Sequence, residues 1–304
     1  MRKSSFNSKG GKGPQRSSGG RSSQGGSRPQ SRPAHGGGGG RPQARHSGSG
    51  QTQGMHASLP KSWRQITGTH AVKEVLRVRP QSVKQAIVQK NLMSTPEVKE
   101  LLAIFRDHDI RFEERAEPEL AKITQSHQGV IVFSDYNPAF DYTHQAWEHE
   151  SMIVALDGVE DTHNLGAILR TSWLMGVSGV IIPADRAVGL TPTVHKVACG
   201  GAEHVEIARI NNFNEPFEKL KEAGFWVYGL SHKAEKSIYE IEYPEKVIWV
   251  LGAEDKGLRS TTERVCDELV SIPQAAADAS YNVSVATAMA LAETKRQWSQ
   301  KKRK

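Results

Sequence analysis

The sequence predicts an α/β fold built on a parallel sheet, with a smaller α/β unit before it and a tail of non-globular composition at the front. Three observations lead there. After residue 151, five short apolar runs alternate with helix-length segments, the pattern of buried strands joined by crossovers. A shorter alternation of the same kind occupies residues 61–135. Residues 1–57 hold ten Lys and Arg, no Asp or Glu, and 15 of the chain's 28 glycines.

The composition of residues 1–57 predicts disorder, because almost no large apolar side chain is present to offset the entropy of ordering. The whole chain has 40 Lys+Arg against 33 Asp+Glu, so the remainder carries 30 against 33, a net charge of −3. The basic character therefore belongs to the tail. Interspersed Arg and Gly without a folded core are typical of flexible segments that contact RNA phosphates.

Globular composition begins near Pro60 and Trp63. Periodicity then predicts a helix over His70 to Arg77, a strand over Val83 to Val88, a helix from Pro96 to Phe105, and strands over Ile110 to Glu113 and Val130 to Phe133. Residues 136–150 open on Asn137-Pro138, are rich in aromatics and His, and read as a linker. From there to residue 300 a larger unit is expected. Its strands are Met152 to Leu156, Val180 to Ile182, Val205 to Ile207, Trp226 to Tyr228 and Val247 to Leu251. Its clearest helices are Asn214 to Ala223 and the long closing one, Val283 to Trp298.

Several classes are excluded. No run approaches the roughly 18 to 20 apolar residues of a spanning helix, and no apolar segment follows the basic N-terminus as a secretory signal requires. Cys199 and Cys266 lie 67 residues apart, match no zinc or redox spacing, and read as small buried apolar groups of a protein in the reducing cytoplasm. Neither G-x-G-x-x-G after the first strand nor a Walker loop, H-E-x-x-H or G-x-S-x-G is present.

Chemistry is expected in three loops at the carboxyl ends of strands, where open parallel sheets bind ligands. The first runs from Asp157 to Arg170, with Asp161, Thr162 or Asn164 available to cap the next helix. Gly166 and Arg170, four residues apart, share a helical face, so the glycine reads as room for a ligand beside a charged fork. The second is Gly252-Ala253-Glu254-Asp255-Lys256-Gly257, whose glycines let backbone touch a ligand. The third is a loop of small residues from Ser271 that runs into Asn282 and Ser284 at a helix start, where unpaired N–H groups suit an adenosine-like ligand.

The ordered set Asn164/Gly166/Arg170, Gly252/Glu254/Gly257 and Ser280/Asn282/Ser284/Ala286 resembles the SpoU/TrmH family of RNA ribose 2'-O-methyltransferases in the SPOUT superfamily. The motifs are N-x-G-x-x-x-R, G-x-E-x-x-G and S-x-N-x-S-x-A. The segment from Lys196 to Glu203 looks like the family's Gly-Ala-Glu stretch, and 68–76 with 127–130 look like the ends of its small RNA-binding domain. The likeness is greatest to members that methylate a guanosine ribose in large-subunit ribosomal RNA.

The resemblance implies a SPOUT-type α/β domain with a C-terminal trefoil knot, bound to S-adenosylmethionine and RNA, acting as a homodimer without a metal. It implies cofactor contacts at Gly252, Ile272 and Tyr281, with Glu254, Gly257, Asn282 and Ser284 nearby, and catalytic roles for Arg170, Asn164 and Glu203. A guanidinium stays protonated, so Arg170 is expected to bind phosphate and steady the developing alkoxide, with water or phosphate taking the proton. The third motif departs from the family at Gln274, Ala276 and Tyr281. That departure favours an alternative, a weakly active or inactive RNA-binding or ribosome-assembly factor with the same fold; the intact Asn164, Arg170 and Glu254 favour the enzyme.

Overall fold

The computed structural model describes residues 59–302 except 144, 145, 148, 255, 277 and 278; the basic segment over 1–57 lies outside the described residues. A small unit comes first. It comprises β1 (Arg64–Thr67), α1 (Thr69–Val78), β2 (Val83–Gln89), α2 (Pro96–Asp107), β3 (Arg111–Arg115), α3 (Glu117–Ile123) and β4 (Val130–Ser134). Its sheet runs β1-β4-β2-β3, with β2 and β3 parallel and the other pairs antiparallel. One face buries Val72, Val75, Leu101 and Phe105 of α1 and α2. The other buries Leu120 of α3 against Ile87, Ile131 and Phe133.

The large unit comprises β5 (Ser151–Asp157), α4 (Thr162–Leu174), β6 (Gly179–Pro183), α5 (Pro192–Ala198), α6 (Gly201–His204), β7 (Ile207–Ile210), α7 (Asn214–Glu222), β8 (Trp226–Leu230), β9 (Lys246–Gly252), α8 (Ser260–Glu263), β10 (Glu268–Val270) and α9 (Val283–Lys301). All pairs of its sheet, ordered β10-β8-β9-β5-β6-β7, are parallel. Side chains alternate faces along a strand, and both faces are covered. Met152, Val154 and Leu156 pack with α4, α5 and α9, while Ile153 and Ala155 pack with Phe217 and Leu220 of α7. That is why these strands are apolar throughout.

Several expected elements shift. The third large-unit strand is Ile207–Ile210, because Val205 donates its N–H to the Gly201 carbonyl and closes α6 first. β3 begins one residue later than expected and ends at Arg115; it is an edge strand whose exposed charges hide the alternation. β1, α3, α5, α6, α8 and β10 were not among the expected elements. The segment expected as a linker is partly built into the core: Phe140 is buried against Ile153 and Phe225, and its N–H reaches the Ile207 carbonyl.

The chain runs outward through β5, β6 and β7, then returns to build β8 and β9 on the other side of β5. The loops after β5 and β9 therefore leave the sheet side by side, with Asp157 in register with Gly252. A crevice forms at such a reversal of strand order. No helix of the described residues is long and apolar enough to cross a membrane.

Candidate active site

Local chemistry prepares the first loop. Asp161 caps α4, accepting the His163 and Asn164 N–H groups at 2.6 and 2.9 Å, which frees the Asn164 side chain. Asn282 caps α9 in the same way, its Oδ1 accepting the Ser284 N–H at 2.9 Å and the Ser284 hydroxyl at 2.6 Å. Its amide remains free to donate elsewhere.

These free amides meet on Glu254. Asn164 donates to Glu254 Oε2 at 3.2 Å, and Asn282 donates to Glu254 Oε1 at 3.1 Å and to Asn164 Oδ1 at 2.9 Å. One residue from each of the three sequence motifs thus joins a closed hydrogen-bonded ring. A second tie lies beneath it: the Asp157 carboxylate, 1 % exposed, accepts Arg259 N–H and Nε at 3.0 and 2.5 Å. This pair was not among the expected site residues, although an acid ending an apolar strand demands a cation or a donor.

Two cavities flank the loop over 253–257. One, of about 370 Å³, is lined by Asn164, Glu254, Arg186 and Lys256 among others. The other, of about 380 Å³, is lined by Gly252, Glu254, Gly257, Ile272, Gln274 and Tyr281 among others. Five of the seven residues expected at or near the cofactor therefore line one cavity; Asn282 belongs to the ring, and Ser284 bonds to Asn282. Two of the three divergent residues of the third motif bond within their own loop. Tyr281 donates its hydroxyl to the Pro273 carbonyl at 3.1 Å, and Gln274 donates to the Ala279 carbonyl at 2.7 Å.

The glycines act differently from expectation. A methyl on Gly252 would stand 2.0 Å from the Gly257 carbonyl carbon, so close backbone approach is required at Gly252. At Gly257 a methyl meets nothing within 4 Å; the requirement there is the left-handed φ of 65°. Gly166 leaves no room for a ligand, since its Cα faces Val197 of α5 and an added methyl would lie 2.6 Å from that side chain.

Arg170 is exposed and lines neither cavity; its Nη1 lies 3.4 Å from Cys199 Sγ. Cys199 is half-buried in a left-handed turn with φ 48°, and Cys266 is half-buried as well, so neither is the fully buried apolar group expected from the sequence. Glu203 is 1 % exposed, and both its oxygens are taken by Arg64, at 2.8 and 2.9 Å. It is thus held by the small unit rather than presented to solvent. No cluster of three or more potential metal ligands occurs among the described residues.

Known proteins and family models match this chain over most of its length. A family model described as the SpoU rRNA Methylase family matches residues 151–292, and one described as RNA 2'-O ribose methyltransferase substrate binding matches 65–137. The protein named 23S rRNA (guanosine-2'-O-)-methyltransferase RlmB of Pseudomonas putida is 37% identical over 245 residues, covering 76% of this chain and 96% of that one. The chain belongs to the SpoU methylase family. The Neisseria meningitidis protein of the same name is 38% identical over 239 residues, covering 77% of this chain and 95% of that one. Among solved structures, the SpoU methyltransferase AviRb of Streptomyces viridochromogenes superposes with a TM-score of 0.66 at 20% identity, over 78% of this chain and 91% of that one. An rRNA methyltransferase from Sinorhizobium meliloti gives 0.64 at 25% identity, over 77% and 87%. The SpoU fold thus supplies both sheets and the crevice between β5 and β9.

Proposed function

We propose that this chain transfers a methyl group from S-adenosylmethionine to a ribose 2'-hydroxyl of ribosomal RNA, with a guanosine of the large-subunit RNA as the favoured target. The ring of Asn164, Glu254 and Asn282 carries the reading, because it joins all three motif loops at the wall of two adjoining cavities. The relatives' name and the match of both family models support it.

The residues present fit the cofactor. The cavity bounded by Gly252, Gly257, Ile272 and Tyr281 combines two glycines, whose backbone no side chain covers, with an apolar side chain and an aromatic ring. These residues would hold S-adenosylmethionine, which supplies a sulfonium methyl activated by its own charge. The cavity bearing Asn164, Arg186 and Lys256 would take the target nucleotide.

The protein's share of the reaction is then placement and charge. Asn164, fixed by two partners of the ring, orients the ribose. Arg170, exposed on α4 outside both cavities, is assigned to the RNA backbone: it would bind the phosphate beside the target ribose and stabilise the alkoxide as its proton leaves to water or phosphate, because a guanidinium cannot act as the base. The 61–135 unit is assigned to RNA binding, the 151–300 unit to transfer, and the trefoil knot to the chain's C-terminal part. The chain is assigned to the cytoplasm as a homodimer, with the exposed Leu174 on α4 and Val285 on α9 as apolar groups a partner subunit could cover.

Mapping ribose methylation over total RNA with and without the protein tests the assignment. A single guanosine in large-subunit RNA that gains a methyl is the expected result. Tight RNA binding with no methylated site anywhere would favour the assembly-factor alternative.

A further inference from the structure

Among the described residues, the polar contacts from the small unit to the large one converge on residues 192–206, which comprise α5, the turn at Cys199 and Gly200, and α6. Thr67 donates its hydroxyl to the Pro192 carbonyl at 3.2 Å, and Glu74 lies 2.5 Å from His204 Nε2. Arg79 donates to the Glu203 carbonyl, and Tyr136 donates its phenol to Glu206 at 3.1 Å. At the centre is Arg64 of β1, 6 % exposed, which grips both Glu203 oxygens and donates Nε to the Tyr136 carbonyl at 2.5 Å. His195 Nδ1 stands 3.7 Å from the same carboxylate, with neither ring nitrogen hydrogen-bonded. Burial, and secondarily the Arg64 charge, push its pKa down to about 3, so the ring is neutral beside the Arg64–Glu203 pair.

The same stretch ends against the helix that bears Arg170. A methyl on Gly201 would lie 2.7 Å from the Leu169 carbonyl oxygen and 2.9 Å from Arg170 N and Cα, so α6 lies directly on that backbone. Two residues earlier, Cys199 Sγ meets the Arg170 guanidinium. The path from Arg64 to Arg170 therefore has two links, the ion pair to Glu203 and the packing of the 199–201 backbone on α4.

We propose that Arg64 is a positioning residue for the reaction: its two-pronged hold on Glu203 seats α6 on α4 and thereby sets where the Arg170 guanidinium stands. Seating of the small unit is in this way transmitted to the active centre. Stability alone is a poor account of such a pair, because a buried ion pair exchanged for neutral groups often costs nothing, whereas a bidentate fork fixes orientation. Lysine, a point donor, cannot replace it. The proposal rests on the role given above to Arg170.

The test uses the full chain with three variants, Arg64→Met, Arg64→Lys and the double variant Arg64→Met/Glu203→Gln. Single-turnover methyl transfer at saturating RNA, affinity for S-adenosylmethionine, the unfolding midpoint and the rate of Cys199 alkylation by iodoacetamide are measured on each. Cys266 serves as the internal control, since burial pushes its thiol up to about 12. The double variant removes both buried charges and is expected to unfold near the parent midpoint while transferring methyl at least tenfold more slowly. Cofactor affinity stays within twofold, and Cys199 alkylation quickens at least threefold as its turn is released. Arg64→Lys should show the same pair of changes, which covers the case in which the double variant fails to fold. A variant that regains the parent transfer rate together with the parent midpoint would overturn the proposal, as would unchanged alkylation. If the parent protein itself methylates no RNA, the proposed function falls, and the alkylation rates still decide the link from Arg64 to the 199–201 turn.

Discussion

Replacing Gly252 by Ala is the smallest change that tests whether the cavity beside β9 depends on close backbone approach. The new methyl would stand 2.0 Å from Gly257 C, 2.2 Å from its O and 2.3 Å from Leu258 N. All three are backbone atoms, so no rotamer change relieves the overlap. Reaching ordinary contact at 3.4 Å requires the Gly257–Leu258 backbone to move by 3.4 − 2.0, or 1.4 Å, away from Gly252 while Ala253 stays with the strand. That motion breaks the two hydrogen bonds closing the loop, Ala253 N–H to Gly257 O at 3.1 Å and Gly257 N–H to Ala253 O at 2.8 Å. At about 1 kcal/mol each they amount to roughly 2 kcal/mol. The unfolding midpoint should drop by about 4–8 °C, using 2–4 °C per kcal/mol for a unit of this size. Because the retreating loop carries Glu254 and one wall of the cavity, closing it on a ligand incurs the overlap again. Affinity for S-adenosylmethionine should then fall by about 30-fold, the equivalent of roughly 2 kcal/mol. Calorimetric titration and thermal unfolding read the two effects. A Gly252→Ala protein that binds as tightly as its parent would refute the argument, because no wall of the site would then depend on that approach.

Three further outcomes are expected. Arg170→Ala should lower single-turnover methyl transfer by about 10²–10³-fold, the usual loss of one charge-stabilising donor, with cofactor affinity unchanged; near-normal transfer would remove Arg170 from the reaction. Asn282→Ala deletes a helix cap worth about 1 kcal/mol and two contacts of the ring, so titration should show cofactor affinity reduced by about tenfold and the midpoint lowered by a few degrees. Stability should also fall in acid through His195, whose pKa lies at about 3 in the fold against about 6.5 in the unfolded chain. Below 6.5 the unfolded chain takes up a proton that the folded ring refuses, so stability is complete above 6.5 and declines towards 3. Between pH 7 and pH 5 the loss is about 2 kcal/mol. Denaturant unfolding of a His195→Gln protein should lack that share of the pH dependence, and an identical slope in parent and variant would show that His195 does not titrate this way.

What the sequence determined by itself was local or repetitive. Strands buried on both faces must be apolar throughout, so β5, β6, β8 and β9 were legible as runs. Caps act within three residues, so Asn282 was legible at its helix start and Asp161 was one of three neighbouring candidates at the other. The three motif loops were legible because each lies at a strand end or a helix start. Only the tertiary structure decided what joined what. The ring unites residues 90 and 118 positions apart, and the Arg64–Glu203 pair spans 139. Nothing in the stretch around Arg64 distinguishes a buried arginine from an exposed one. The glycines make the same point: 166, 252 and 257 are alike in sequence, yet one packs against a helix, one admits a neighbouring backbone and one supplies a left-handed turn. A side chain of a single hydrogen carries no record of its neighbour, and the neighbour is chosen by how distant segments pack.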